Sequence, residues 1–392
     1  MPTAVTPLIV LISLGITQII GFGTLYYAFS LLAPCMAASL GWSLPQVFAA
    51  FSGALIVMGL ASPAAGRLAD RVGAGLVLAI GSVLAAGSLA LCALAPGPFL
   101  YLAGMAGVGL AAAAVLYNMA FVALVQLGDE HARSRITYLT LMAGFASTVF
   151  WPVTKALLET QDWRSIYIAY AALNLFVCAP LHLFLARQTR PKPMTEPEAP
   201  KPKAGRAPTG PLFVVLFAAV ALEGAVMGAV LVHMVPLIEA LGLGAAAALV
   251  AALFGPAQVG VRIINMTFGA RLPQTWLAII AAGFPLAGLM VLLGFPGFVG
   301  AAAFAVLFGM GTGLISIVTG TLPLALFGAD GYGSVLGRLA SARLVAGAVS
   351  PFLLSVALGG LGVRPALWGA VVLGAAALAC FWIVRRMAPD SP

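Results

Sequence analysis

Charge is what this sequence has least of. Only 8% of its 392 residues are Asp, Glu, Lys or Arg, where a soluble globular chain carries about 25%. No water-facing surface can be covered with so few, and a soluble protein is excluded. Cysteine is scarce as well. Cys35, Cys92, Cys178 and Cys380 each stand alone in apolar runs, without a Cys-x-x-Cys or ligand-like spacing, so neither disulfides nor a metal site is expected. The formal charge of +8 would suit nucleic acid only if it were clustered on one exposed face. The basic residues are instead dispersed over short loops, and no nucleic-acid partner is expected. Glycines such as Gly104, Gly107 and Gly109 lie inside apolar runs with no Lys-Ser/Thr after them. Close helix packing explains them better than a phosphate loop, so no nucleotide or other cofactor is expected. The first residues, Met1-Pro2-Thr3-Ala4-Val5-Thr6-Pro7, carry no basic region ahead of a full-length apolar run, so no cleaved signal is expected.

What is present is hydrocarbon. The chain is 62% hydrophobic and its mean hydropathy is +1.10, which describes a multi-pass membrane protein embedded in the lipid bilayer. A helix needs about 20 residues to cross. Twelve such runs fall near 8–33, 44–65, 75–95, 98–127, 135–158, 165–187, 211–238, 245–265, 274–294, 297–326, 334–358 and 365–384. Turn chemistry separates them, as in Ala95-Pro96-Gly97-Pro98 and Gly294-Phe295-Pro296-Gly297. The expected fold is therefore all-α, with twelve transmembrane helices. With the N-terminus inside, sixteen of the nineteen Lys and Arg residues fall on the inner side and Lys155, Arg164 and Arg364 on the outer. That bias places both termini in the cytoplasm. In a bacterial cell this would be the plasma (inner) membrane. The segment from Arg190 to Arg206 is rich in Pro and charge, as a solvated linker would be. It divides the chain into an N-terminal six-helix bundle over 1–188, a cytoplasmic linker over 189–210 and a C-terminal six-helix bundle over 211–392. Two such halves imply one bundle rocking against the other about a site near the midplane.

Between spans two and three lies a charged island, Gly66-Arg67-Leu68-Ala69-Asp70-Arg71-Val72-Gly73. Its charges cost several kcal/mol each in lipid, so it reads as a tight loop at a membrane surface. The spacing Gly66-x-Leu-Ala-Asp70-Arg71-x-Gly73 resembles the signature loop of the major facilitator superfamily, and the six-and-six layout extends the resemblance over the whole chain. Where the family pattern continues into further basic residues, this sequence has Ala74 and Gly75. The resemblance implies secondary transport by alternating access. Asp70 would cap a neighbouring helix end and Arg71 would pair across the bundle, making Gly66, Asp70, Arg71 and Gly73 the expected conformational gate.

Two patterns of drug antiporters are altered. The fourth-helix motif has Ala103 where its arginine would stand, and the fifth span, through Trp151-Pro152-Val153-Thr154-Lys155, lacks the expected glycines around its proline. A weaker similarity, Arg133-Ser134-Arg135 followed by Ala143-Gly144-Phe145-Ala146-Ser147, is to monocarboxylate transporters. In span eight, Gln258 stands where those transporters carry an aspartate, four residues before Arg262. A second alignment makes Arg262 and Asn265 the degenerate repeat of Arg67 and Asp70, and Arg262 structural.

Polar groups inside a span are functional candidates by default. Glu223 lies about twelve residues into span seven, roughly 18 Å deep, and is the one carboxylate at such depth in the sequence. A carboxyl there can stay neutral while dry and ionise when water enters, as a proton carrier requires. Lys155, near the outer end of span five, could attract an anion or snorkel to the interface, and Arg262 is its counterpart from the inner side. If both face the cavity, two cations without a fixed acid partner favour an anionic substrate such as a carboxylate. Gln18 and Tyr26 in span one, Tyr117 and Asn118 in span four, and Thr312 and Ser316 in span ten are neutral candidates for substrate contact. The resemblance places spans one, four, seven and ten along the pathway, although Ser and Thr also tie helices together in lipid. Tyr332-Gly333-Ser334, Arg338 and Arg343 read as an inner loop and interfacial anchors. The expectation is a proton-coupled symporter for a small organic anion, acting as a monomer and not as an enzyme. The alternative is a drug/proton exporter.

Overall fold

The computed structural model describes residues 7–128, 131–189, 210–269 and 272–388. Most of the expected linker and Arg271 lie outside the described residues. Among the described residues, twelve helices are long and apolar enough to cross a membrane: Leu8–Leu40, Leu44–Val72, Ala74–Leu94, Pro98–Gln126, Ala132–Leu158, Trp163–Ala186, Pro211–Leu243, Leu249–Phe268, Gln274–Gly294, Phe298–Phe327, Tyr332–Leu361 and Val363–Met387. They are referred to below as spans one to twelve.

Helix ends differ from expectation where proline, charge or glycine invited an early stop, as at Pro34 inside span one. Gly66–Val72, read from sequence as a loop, forms the last two turns of span two, and the helix breaks only at Gly73, where φ is +93°. The physical reason is facial segregation. Arg67 and Arg71 are one turn apart and exposed, while Gly66, Ala69 and Gly73 are buried, so the helix continues without placing charge against its neighbours. Span eleven likewise starts at Tyr332, two residues before the expected boundary, which makes Tyr332–Ser334 the first helical turn and not a loop.

The chain forms two compact units, one of residues 1–207 with 329–341, the other of 208–328 with 342–392. In the first, spans one to six pack with the opening turns of span eleven. Gly66 meets the carbonyl of Gly333 so closely that a Cβ at either glycine would overlap the other strand of backbone or Asp70. That approach brings the Asp70 carboxylate over the start of span eleven, described below. On its other side the break at Gly73 is held by two side chains. Gln126 Nε2 donates to the Ala69 carbonyl at 2.9 Å and its Oε1 accepts from the Ala74 amide at 2.7 Å. Thr189 Oγ1 accepts from the Gly75 amide at 2.9 Å. A backbone break in a membrane protein must find such partners. Gln126→Leu removes both of its bonds at once, and is expected to destabilise the first unit by about 1–3 kcal/mol, seen as a lowered Tm in detergent. An unchanged Tm would show that water replaces the glutamine.

Four spans of the first unit are interrupted, span five at Gly144–Phe145 between Ala132–Ala143 and Ala146–Leu158. Span one has a π-helical turn at Gly23–Tyr27 and span six another at Asn174–Cys178. The two are tied by Asn174 Nδ2 donating to Thr24 Oγ1 at 3.0 Å. Span four breaks at Leu116, whose extended backbone (φ −84°, ψ −171°) separates Pro98–Val115 from Tyr117–Gln126.

The second unit holds spans seven to ten, twelve and the rest of eleven. Its core gathers Val226 and Val230 of span seven with Leu289, Phe304, Phe308 and Leu367. At one end the guanidinium of Arg385 lies 3.8 Å above the Trp276 ring and anchors span twelve to span nine.

Candidate functional site

In the first unit the chemistry collects around the irregular turns. Because Met119 N donates to Leu116 O at the span-four break, the neighbouring Val115 carbonyl accepts instead from Gln18 Nε2 of span one at 2.7 Å. Gln18 is fully buried, and its Oε1 has no hydrogen-bond partner among the described residues. Directly after the break, the Tyr117 ring lies 4.5 Å from that of Phe22 and its hydroxyl donates to the Thr140 carbonyl of span five at 3.3 Å. Asn118 is half-buried. Tyr26 packs edge-on against Tyr27 at 5.3 Å and Phe51 at 5.5 Å, over a shallow apolar recess lined by Phe51, Leu55, Met58, Val108 and Leu116. Gln18, Tyr26 and Tyr117 thus belong to one neighbourhood of spans one and four.

Span five joins this neighbourhood through Phe150, whose ring fills the notch left by the missing side chain of Gly23. Its neighbour Trp151 donates from Nε1 to the Tyr27 carbonyl at 3.2 Å and sets its ring edge-on to Tyr27 at 5.9 Å. One turn further on, Lys155 is exposed.

The signature stretch acts on a helix start. The first amides of a helix have no intrahelical partner. At span eleven, Tyr332 N bonds Ala329 O and Val335 N bonds Gly331 O. The two amides between them go to Asp70: Gly333 N to Oδ1 at 2.8 Å and Ser334 N to Oδ2 at 2.7 Å, with the Ser334 hydroxyl donating to Oδ2 as well. A carboxylate there also meets the positive end of the helix dipole. Arg71 is exposed.

In the second unit, Glu223 is 2% exposed and its Oε1 has no hydrogen-bond partner among the described residues. The charge acting on its carboxyl is Arg343 of span eleven. The two helices cross where Gly224 meets the backbone and Cγ of Arg343 and Gly228 meets Gly347, a pair of small-residue contacts four apart. This corrects the reading of Arg343 as an interfacial anchor. The helix begins at Tyr332, so Arg343 lies about 16 Å along it at 1.5 Å per residue. Counting basic residues by loop hid it; a glycine at the same helical spacing on each helix was the available signal.

The remaining candidates in this unit bond to their own helix or to a neighbouring one. Arg262 is 4% exposed and its Nε donates to the Gly313 carbonyl of span ten at 3.4 Å. Thr312 Oγ1 donates to its own helix at Phe308 O and contacts Met227 Sδ of span seven at 3.1 Å. Ser316 Oγ donates to Gly313 O at 2.7 Å.

Among the described residues, twelve membrane-length helices with polar side chains gathered at breaks and glycine crossings define a polytopic membrane protein. The family model described as Major Facilitator Superfamily matches residues 14–351, and the chain belongs to that superfamily, whose members are transporters and not enzymes. Among curated relatives, an uncharacterised 38 kDa protein of Thermoproteus tenax is 34% identical over 166 residues, 42% of this chain and 43% of that protein. The multidrug resistance protein MdtL of Salmonella typhimurium is 34% identical over 163 residues, 40% of each chain. The chain thus covers about two fifths of the length of these relatives. Among solved structures, the human organic anion transporter MFSD10 superposes with a TM-score of 0.70 at 14% identity, covering 98% of this chain and 100% of that one. The transporter FucP in its outward conformation gives 0.74 at 13% identity, covering 99% and 100%. At such identities these structures establish the fold.

Proposed function

We propose that this transporter moves a small organic anion, such as a carboxylate, by alternating access coupled to protons across the plasma membrane, with both termini in the cytoplasm. The observation that carries the reading is Glu223. A carboxyl buried at mid-span, with one oxygen unpartnered among the described residues and Arg343 acting on it, can take up and release a proton as water reaches it from either side. The exposed Lys155 supplies a cation for the substrate, whereas Arg262 and Ser316 are spent on span ten. The bundles 1–188 and 211–392 would move as the two bodies, joined by the linker 189–210, and one chain would suffice. The test is uptake of labelled carboxylates into proteoliposomes under an imposed pH gradient. Accumulation that collapses with the gradient is expected, and no carboxylate movement under any gradient would refute the reading.

A second reading, export of toxic compounds, rests on the similarity to MdtL over 163 residues. It predicts that expression raises resistance to amphipathic cations. The altered drug-antiporter motifs at Ala103 and around Pro152 count against it.

A further inference from the structure

Span five presents two different surfaces outside its buried face. After the interruption at Gly144–Phe145, the helix Ala146–Leu158 buries Ala146, Phe150 and Thr154. Val149 and Val153 form an exposed apolar stripe, which is at home against lipid. Rotated from it lie Thr148, Trp151 and Lys155, spaced three and four residues apart and all exposed. Thr148 and Lys155 do not suit hydrocarbon, so this second stripe requires water or a polar ligand. Snorkelling explains a lysine near a helix end, but it does not explain the ring array beside it.

That array is unusually well fixed. The Trp151 indole is pinned by its hydrogen bond to the Tyr27 carbonyl, and a second donor, the Ser30 hydroxyl, shares that oxygen at 3.1 Å. Phe150 in the Gly23 notch sets the register between the helices. The π-helical turn at Gly23–Tyr27 presents Tyr26 and Tyr27 side by side, and such turns recur at functional sites. Trp151 is 48% exposed and Tyr26 37%, so each keeps ring surface for a ligand. Lys155 follows Trp151 by one helical turn, which puts the two Cβ atoms about 5–6 Å apart. Among the described residues Lys155 has no ion pair or hydrogen bond. Glu159, a further turn along and exposed, is the nearest acid on the stripe.

A cation one turn from a fixed indole matches a ligand with a carboxylate a short tether from a ring. We infer that Lys155, Trp151, Tyr26 and Tyr27 form a binding site for an aromatic monocarboxylate, with its carboxylate on the Lys155 ammonium and its ring against the Trp151 indole. The inference rests on the anion reading above and adds the class of substrate. Ring stacking supplies the preference over aliphatic acids, and the fixed indole keeps the ordering cost low.

The test is uptake of labelled phenylacetate, acetate and benzylamine by the full chain in proteoliposomes. Wild type is expected to prefer phenylacetate to acetate by about fivefold, the size of one good aromatic contact. Trp151→Leu should bring that ratio near one and Trp151→Phe should restore much of it. Tyr26→Leu, at a residue 37% exposed, should lower it without loss of Tm. Lys155→Gln should raise the phenylacetate KM about tenfold or more, the loss of one charge-assisted contact, and Lys155→Arg should retain it. Glu159→Gln should lower that KM by removing the competing acid. Acetate transported with no preference for the ring, or a ratio unmoved by both Trp151→Leu and Tyr26→Leu, overturns this inference and leaves the anion reading standing. Uptake of benzylamine with neither acid transported overturns both. An unchanged KM in Lys155→Gln returns the lysine to an interfacial anchor and sinks the site.

Discussion

Glu223→Gln is expected to abolish proton-driven accumulation while leaving exchange intact. Glutamine matches the shape of the protonated carboxyl but cannot ionise, so a carrier bearing it can still alternate with substrate bound. Net uptake under an imposed proton gradient should fall more than about tenfold, equivalent to over 1.4 kcal/mol in the coupled step. Exchange of labelled for unlabelled substrate at equal pH should persist. Loss of both would place Glu223 in substrate binding or in the packing of spans seven and eleven, and loss of neither would remove it from the mechanism. Because Arg343 is the charge acting on Glu223, Arg343→Gln is expected to lose accumulation too. The double variant should be no worse than either single one, as for two groups that act as a unit.

Asp70→Ala should have the second largest effect, and on rate. The substitution strips two amides and a hydroxyl at the start of span eleven of their acceptor, where loss of a cap costs about 1–2 kcal/mol. The arrangement that contains the cap is destabilised relative to any arrangement that lacks it. Turnover in proteoliposomes is expected to drop about tenfold, consistent with that energy, with the substrate Kd in detergent little changed. Asp70→Asn keeps an acceptor oxygen without the charge and should slow cycling less. Binding lost together with transport would make this contact part of the scaffold and not of the conformational cycle. Gly66 and Gly333 set the geometry, since their approach lets the carboxylate reach over the helix end.

Some of this was legible in the residue order and some was not. The spacing Gly66, Asp70, Arg71, Gly73 pointed to the superfamily and to a carboxylate beside a helix end, but its charges suggested a loop. The helix persists to Val72 because Arg67 and Arg71 share one face, and a facial argument needs to know which side is covered. Glu223 stood out because so few acids interrupt the apolar runs. Its companion Arg343 did not, since loop counting assigned every arginine near a boundary to the boundary. Nothing in the residue order marks Trp151 as the partner of the Tyr27 carbonyl, or Gln126 and Thr189 as the groups that hold the break at Gly73.

The sequence by itself determined that this protein lives in a membrane, crosses it as twelve helices, belongs to a transporter family and carries one deep acid. These follow from sums along the chain: hydropathy over about 20 residues, and a motif whose residues are adjacent. Only the tertiary structure decided which helix Asp70 caps, which cation acts on Glu223, that Gln18 serves the broken span four, and that Lys155 has a ring array one turn away. Those depend on which glycine notch receives which partner. In lipid, faces that meet another helix and faces that meet hydrocarbon are both largely apolar, so the pattern along the chain does not distinguish them.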